Sequence, residues 1–210
     1  VFDDKKNKKK DKGMNFNIRL ADIMLAVSSQ YELLVEYCRD YVIADIDEKK
    51  TGIKTCQEYI EITRDDIEQE YNRMPDKERK DYTPQYMETL AAVRKIADIM
   101  PSYNRFLMHG VVLSWEQNGY MFTAPSGTGK STHAMLWKKY LGNKVRIING
   151  DKPVLAVDEG KIRAYGTPWA GKEGWQMNTY VPLKGICFLN QGKENRIHML
   201  TPQEVLPGLI

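Results

Sequence analysis

The stretch Ala124-Pro-Ser-Gly-Thr-Gly-Lys-Ser-Thr132 constrains this chain more than any other. An apolar, strand-like run, Tyr120–Thr123, leads into it, and a helix-compatible run, His133–Leu141, leads out. Strand, Gly-rich turn, Lys-Ser and helix, in that order, form the context of a phosphate-binding loop. Gly127 and Gly129 supply backbone that can wrap closely around phosphate oxygens. Loop and helix N–H groups then point at the anion, with Ser126, Thr128 and Thr132 completing the nucleotide-binding run. Lys130 brings a mobile positive charge to the outer phosphates, and the Ser131 hydroxyl is the expected Mg²⁺ ligand. One position departs from the G-x-x-x-x-G-K-[ST] pattern: Ala124 stands where the first glycine belongs. The bland alternative is a solvated Gly/Ser turn before a helix, but the flanking elements agree with the motif.

With 210 residues, the chain suffices for one large domain or two small ones, and 42% hydrophobic residues suffice for a core. The net charge of +3 is slight, and much of the excess lies in Lys5, Lys6, Lys8, Lys9, Lys10 and Lys12. That argues against a nucleic-acid platform. Cys38, Cys56 and Cys187 show neither metal-ligand spacing nor a disulfide framework, so reduced thiols in a cytoplasmic protein are expected. No apolar run approaches the ~18 residues of a membrane span, and no secretory signal is apparent.

Residues 1–13 read as a disordered basic tail or the remnant of an expression tag, residues 14–104 as an N-terminal α+β region, and residues 105–210 as the nucleotide-binding core. Phe16–Leu20 and Ile23–Val27 alternate as two strands joined at Ala21-Asp22. Ser28-Ser29 is a candidate cap for a helix carrying Leu33, Leu34, Tyr37, Cys38, Tyr41 and Val42. Residues 45–52 read as a polar turn, Tyr59–Ile62 as a strand, and the charged stretch Asp65–Asp81 as exposed. Thr83-Pro84 starts a helix whose apolar face is Tyr86, Leu90, Val93, Ala97 and Met100, ended by Pro101. Phe106–Trp115 reads as one strand, followed by a turn over Glu116-Gln117-Asn118-Gly119 with Asn-Gly chemistry. Val145–Ile148 is a strand running into Asn149-Gly150-Asp151, and Val154–Val157 with Ile162–Tyr165 forms a hairpin. Strands over 184–189 and 196–200 and a helix from Thr201-Pro202 complete the reading.

An acidic residue closing the strand after the loop's helix is the expected partner of the loop, so Asp151 is a candidate metal ligand. The alternative for such an Asp is a turn former. His109, one hairpin before the loop, is on its residues alone more often a core or surface histidine than a catalytic one. His133 and His198 carry no functional case. The Gly-rich, Trp-rich loop from Tyr165 to Trp175 is too long for a simple connection. Lys172 could reach a phosphate or an anionic substrate there, and Trp169 and Trp175 could flank a base or a substrate. A packed surface loop with a solvated lysine is the equal alternative.

His109-Gly110-Val111-Val112, a hairpin, Ser126–Thr132 and then Gly150-Asp151 follow an order that resembles the catalytic domains of HPr kinase/phosphorylases. The segment Thr167-Pro168-Trp169-Ala170-Gly171-Lys172 is similar to an uncharacterised branch of HPr-kinase-like proteins. More distantly the core resembles ATP-dependent phosphoenolpyruvate carboxykinase. The resemblance covers roughly residues 105–200. It implies an α/β (α+β) fold with a mainly antiparallel or mixed β core, the loop and outer helices. It also implies Mg-ATP as cofactor, homo-oligomers, and His109 at the active site. The family has two consecutive aspartates where this chain has Gly150-Asp151. Asp151 therefore inherits the metal role more safely than the base role.

The function expected is that of an ATP-dependent kinase. Lys130, Asp151 and His109 carry the transfer to a hydroxyl of a protein, peptide or small molecule. A nucleotide-binding sensor or scaffold that does little chemistry is the alternative, motivated by Gly150. A carboxykinase is a weaker third, because no second set of metal ligands or anion-binding arginines surrounds the loop. Neither nucleic acid nor membrane is an expected partner.

Overall fold

A computed structural model describes residues 13–44 and 56–208. The tail expected before Gly13 and the polar turn expected over 45–52 lie outside the described residues. The chain divides between Phe106 and Leu107 into two units. Both are α+β, each built on a mixed sheet.

In the first unit, β1 (Met14–Leu20) and β2 (Ile23–Ser29) form an antiparallel hairpin. Ala21 and Asp22 both take positive φ, 48° and 66°, the turn whose twist matches the flanking strands. Alternation buries Ile18, Leu20, Ile23, Leu25 and Val27. β3 (Val42–Ile43) pairs antiparallel with β1, and β4 (Glu58–Glu61) pairs parallel with β2. The helices are α1 (Glu32–Tyr37), α2 (Arg64–Arg73), α3 (Asp76–Arg79) and α4 (Pro84–Ile99).

Three local readings change here. Ser28 and Ser29 belong to β2, and the backbone ahead of α1 is met by the buried Glu88 carboxylate, which accepts from the Gln30 and Tyr31 N–H groups. The charged stretch after Thr63 is not merely exposed. Thr63 and Asp66 form a reciprocal capping box, and α2 buries Ile67, Glu70 and Tyr71. Glu70 is tied at 2.6 Å to both Arg73 and Arg94, which explains how a carboxylate is buried there. Thr83 does cap α4, accepting from Tyr86 N at 3.2 Å, but the helix is rotated. Met87, Ala91, Val93 and Ile96 face the core, while Tyr86 is exposed.

The sheet of the second unit has the order β5-β9-β10-β11-β7-β6-β8. Its strands are β5 (Arg105–Leu107), β6 (Val111–Trp115), β7 (Asn118–Thr123), β8 (Val145–Asn149), β9 (Val154–Asp158), β10 (Lys161–Tyr165) and β11 (Tyr180–Phe188). From β9 to β8 every pairing is antiparallel except β11 with β7. Helix α5 (Lys130–Leu141) follows the Gly-rich loop, and α6 (Pro202–Val205) is capped by Thr201. The two faces of the sheet bury alternate residues. Val112, Met121, Ile148, Leu155, Ala164 and Val181 form one cluster. Val111, Leu113, Phe122 and Val145 form the other, with Ala134 and Trp137 of α5 packed on it.

The run 106–115 is two strands, not one. Between them Met108 N–H donates to Pro153 O at 3.0 Å and Gly110 N–H donates to Asp151 O at 2.8 Å. The hairpin after β6 turns at Glu116 and Gln117, with φ of 47° and 65°, so Asn118 and Gly119 lie inside β7. Gly119 is needed in that strand for space, because a Cβ would lie 2.6 Å from a Val181 methyl. Residues 196–200 form no strand. A ladder needs a neighbour, and none of the described strands pairs with this segment, which leaves Ile197 and Met199 exposed. No helix among the described residues is long and apolar enough to cross a membrane.

Candidate active site at one end of the second sheet

Strand direction assembles the site. β6 runs antiparallel to both β7 and β8. Its first residues therefore lie at the sheet end where β7 and β8 finish. His109-Gly110, the loop after Thr123 and the turn after Asn149 are brought to one edge. Thr123 Oγ1 fastens the first two, donating to His109 O at 2.9 Å.

The loop has the backbone its sequence requires. Gly127 and Gly129 take φ of 79° and 108°, values that a side chain would strain. Lys130 Nζ folds back onto its own loop, donating to Ala124 O at 2.8 Å and Pro125 O at 3.3 Å. Thr128 Oγ1 donates to Pro125 O at 2.9 Å. Gln191 Nε2 reaches Thr128 O at 3.3 Å from the segment after β11. Helix α5 begins at Lys130, so its first N–H groups open onto the loop. Ser126 and Thr132 are exposed and Ser131 is half-buried; none of the three hydroxyls bonds a described residue.

Asp151 stands beside this loop between His109 and Lys152. His109 Nε2 lies 3.2 Å from its Oδ1, and Lys152 Nζ contacts its Oδ2. Burial alone would raise the Asp151 carboxyl. The hydrogen bonds and charges of His109 and Lys152 outweigh it and bring the pKa to about 2. Lys130 belongs to the same electrostatic set: burial lowers its pKa, and the Asp151 charge acts in the opposite direction.

A buried clamp fixes the Asp151 turn. Asn149 is 0% exposed, and its Oδ1 accepts from Asp151 N at 3.0 Å and Lys152 N at 2.8 Å. Its Nδ2 donates to Thr167 O at 2.9 Å and Thr167 Oγ1 at 3.3 Å. Thr167, also 0% exposed, donates from Oγ1 to Lys152 O at 2.6 Å. Lys152 N–H donates to Trp169 O at 3.0 Å as well. The loop 166–179 is thus docked along β8, with Met177 N–H on Ile148 O at 3.0 Å.

Docking leaves no room at Gly150. A Cβ there would meet Ala170 O at 2.5 Å. Gly171, at φ 75°, lies against Asp151, its Cβ position 3.2 Å from the Asp151 Cβ. Trp169 is 2% exposed, and its carbonyl is the one that accepts from Lys152 N–H. Lys172 is exposed and bonds no described residue.

The structure brings together Lys130, Asp151, His109 and the loop residues. Asn149, Lys152 and Thr167 join them without having been picked out from the sequence. An Asn accepting from the N–H two residues on is an Asx turn, and Asn149-Gly150-Asp151 carries that signal. Among the described residues no three His, Cys, Asp or Glu side chains cluster as a metal cage. A site built of one hydroxyl, one carboxylate and phosphate oxygens suits Mg²⁺, which keeps several waters. Ser131 and Asp151 fit that requirement: the hydroxyl has no partner among the described residues and the carboxyl stays ionised.

No protein-family model matches this chain, and no curated protein matches it. Among solved structures, the Hpr(Ser) kinase/phosphatase from Coxiella burnetii is similar over 46% of this chain and 66% of its own, at 12% identity and a TM-score of 0.34. The chain spans just under two thirds of that protein's length.

Proposed function

We propose that this protein is an ATP-dependent kinase that moves the γ-phosphoryl of Mg-ATP to a hydroxyl, either a serine of a protein or peptide or an alcohol of a small molecule. The observation that carries this reading is the placing of the Gly-rich loop and the His109–Asp151 pair at one end of one sheet. Lys130 and the loop N–H groups hold the phosphates. Ser131 and Asp151 hold the Mg²⁺, which supplies charge neutralisation on the phosphate oxygens when bound.

His109 supplies the base that position 150 does not. Its Nε2 faces a carboxylate that is ionised far below neutral pH, so in the neutral ring this nitrogen bears the proton and Nδ1 keeps its lone pair. The acceptor O–H gives its proton to Nδ1 as the new O–P bond forms, and the bond from the γ-phosphorus to the bridging oxygen breaks to release ADP. Such base assistance is typically worth ~10²–10⁴ in rate. Calorimetric titration with Mg-ATP tests the nucleotide part: binding is expected, and Lys130→Ala is expected to remove it. Affinity unchanged in Lys130→Ala would refute it.

A second reading, a nucleotide-binding module with little turnover, is favoured by Gly150, where the backbone of Ala170 excludes any side chain. His109→Gln separates the two. A kinase keeps Mg-ATP binding in this variant and loses turnover on the acceptor. A module binds ATP and leaves the γ-phosphate in place before and after the change.

A further inference from the structure

Both oxygens of Asp151 are engaged in the protein as it stands. Oδ1 faces His109 and Oδ2 carries the Lys152 amine. A cation that binds Asp151 therefore meets a position already filled by a positive charge. The main chain of Lys152 cannot leave to make room. Its N–H is held by Asn149 Oδ1 and Trp169 O, and its carbonyl by Thr167 Oγ1. Only the side chain is free to swing, and a lysine stem is long and flexible. Nor is a second carboxylate available at the neighbouring position to take the amine, because Gly150 is closed to any side chain by Ala170 O.

We propose that Lys152 is a tethered placeholder for the metal ion, which pairs with Asp151 in the nucleotide-free protein and gives up that carboxylate oxygen when the metal–nucleotide arrives. This deepens the kinase reading and rests on it. The placeholder keeps the half-buried carboxylate paired between turnovers, where an unpaired charge would be costly. Its consequence is a competition: Lys152 raises the magnesium concentration the site needs. A lysine that instead held the phosphates would do the opposite, since its removal would weaken nucleotide binding.

The sign of the effect is the test. ATP affinity is measured by calorimetry across a series of magnesium concentrations, and also with magnesium chelated, for the wild-type chain, Lys152→Met, Lys152→Gln and Lys152→Arg. Circular dichroism melting identifies which variants fold, and two neutral replacements guard against one of them failing. In the neutral variants the half-saturating magnesium concentration falls by about fivefold, the upper range for one partly exposed ion pair. Their affinity for metal-free ATP does not rise by that factor. Lys152→Arg needs at least as much magnesium as the wild type. Folded neutral variants with an unchanged or raised magnesium requirement overturn the placeholder while leaving the nucleotide reading intact. A wild-type chain that binds no ATP at any magnesium concentration overturns both.

Discussion

His109 Nε2 and Asp151 Oδ1 lie 3.2 Å apart, one residue ahead of Gly110 and two beyond the last residue of β8. Their strands are neighbours in the sheet but are separated in sequence by the hairpin, the Gly-rich loop and α5. This pair gives a pH signature. The folded Asp151 carboxyl titrates at about 2 against an ordinary 3.8. A depressed acid contributes stability that is present above the unfolded value and lost as pH falls through the folded one. Stability worth on the order of 1–2 kcal/mol is therefore lost between about pH 4 and pH 2. Urea unfolding of wild type and Asp151→Asn over that range checks it. The slope belonging to this group should be missing in the variant, and parallel curves would refute the assignment.

Glu88 gives the opposite sign. Burial raises its carboxyl, against the lowering effect of the Gln30 and Tyr31 N–H groups. The folded state holds this proton more tightly than the unfolded state does. The contribution is present below the unfolded value near 4.5 and lost as pH rises through the raised folded value. Glu88→Gln should flatten the stability profile of the first unit just above pH 4.5. Glu88→Ala should lower its melting temperature at every pH, since two backbone donors lose their acceptor, at about 1–3 kcal/mol for a buried polar group left unpaired.

Gly150 is required by the close approach of the Ala170 backbone. With a Cβ 2.5 Å from Ala170 O and 3.4 Å from the Trp175 Cβ, Gly150→Ala should cost about 1–3 kcal/mol. Gly150→Asp should cost at least as much and restore no base. Thermal melts decide, and an unchanged midpoint in Gly150→Ala would show that the loop yields.

Asn149 and Thr167 should behave as one unit. Asn149→Ala strips the side-chain acceptor from Asp151 N–H and the donor from Thr167 O, while Lys152 N–H keeps Trp169 O. About 2–3 kcal/mol is expected. Thr167→Val should cost about 1–2 kcal/mol, and the double variant less than the sum, because the two residues share one network. Strict additivity in a double-mutant cycle would show that they act separately.

Lys172→Ala should leave the unfolding free energy within the ±0.5 kcal/mol of ordinary surface changes, since Lys172 is exposed and bonds no described residue. If the loop presents this cation to the transferring phosphoryl group, turnover falls by ~10²–10³ while the fold is kept. Unchanged turnover removes Lys172 from the site.

Local chemistry determined a good deal on its own. The shape of the Gly-rich loop was legible because strand, glycines, Lys-Ser and helix are contiguous and each has a backbone reason at its position. The hairpins at Ala21-Asp22 and Glu159-Gly160 and the Thr83 cap were legible for the same reason: turns and caps are settled within about four residues. Where two local signals competed, packing chose between them. Within the expected turn Glu116–Gly119, Asn118-Gly119 carries the turn chemistry, yet the bend fell on the first two residues, Glu116-Gln117, and Gly119 lies against Val181 in β7. The α4 helix was found from its cap, but its buried face was set by what lay beneath it.

The tertiary structure alone decided the rest of the site. Nothing near position 149 or 152 states that Asn149 meets Thr167, or that Lys152 pairs with Asp151 while its backbone is held by a loop some fifteen residues on. Nor does position 150 by itself reveal whether an acid is absent by chance or excluded. The carbonyl of Ala170, brought there by the docking of residues 166–179 along β8, answers that. A sequence specifies what a short segment can do, because turn, cap and strand preferences act between near neighbours. Which charges share a pocket, and which positions have room for a side chain, depends on distances between remote segments, and those exist only once the sheet has formed.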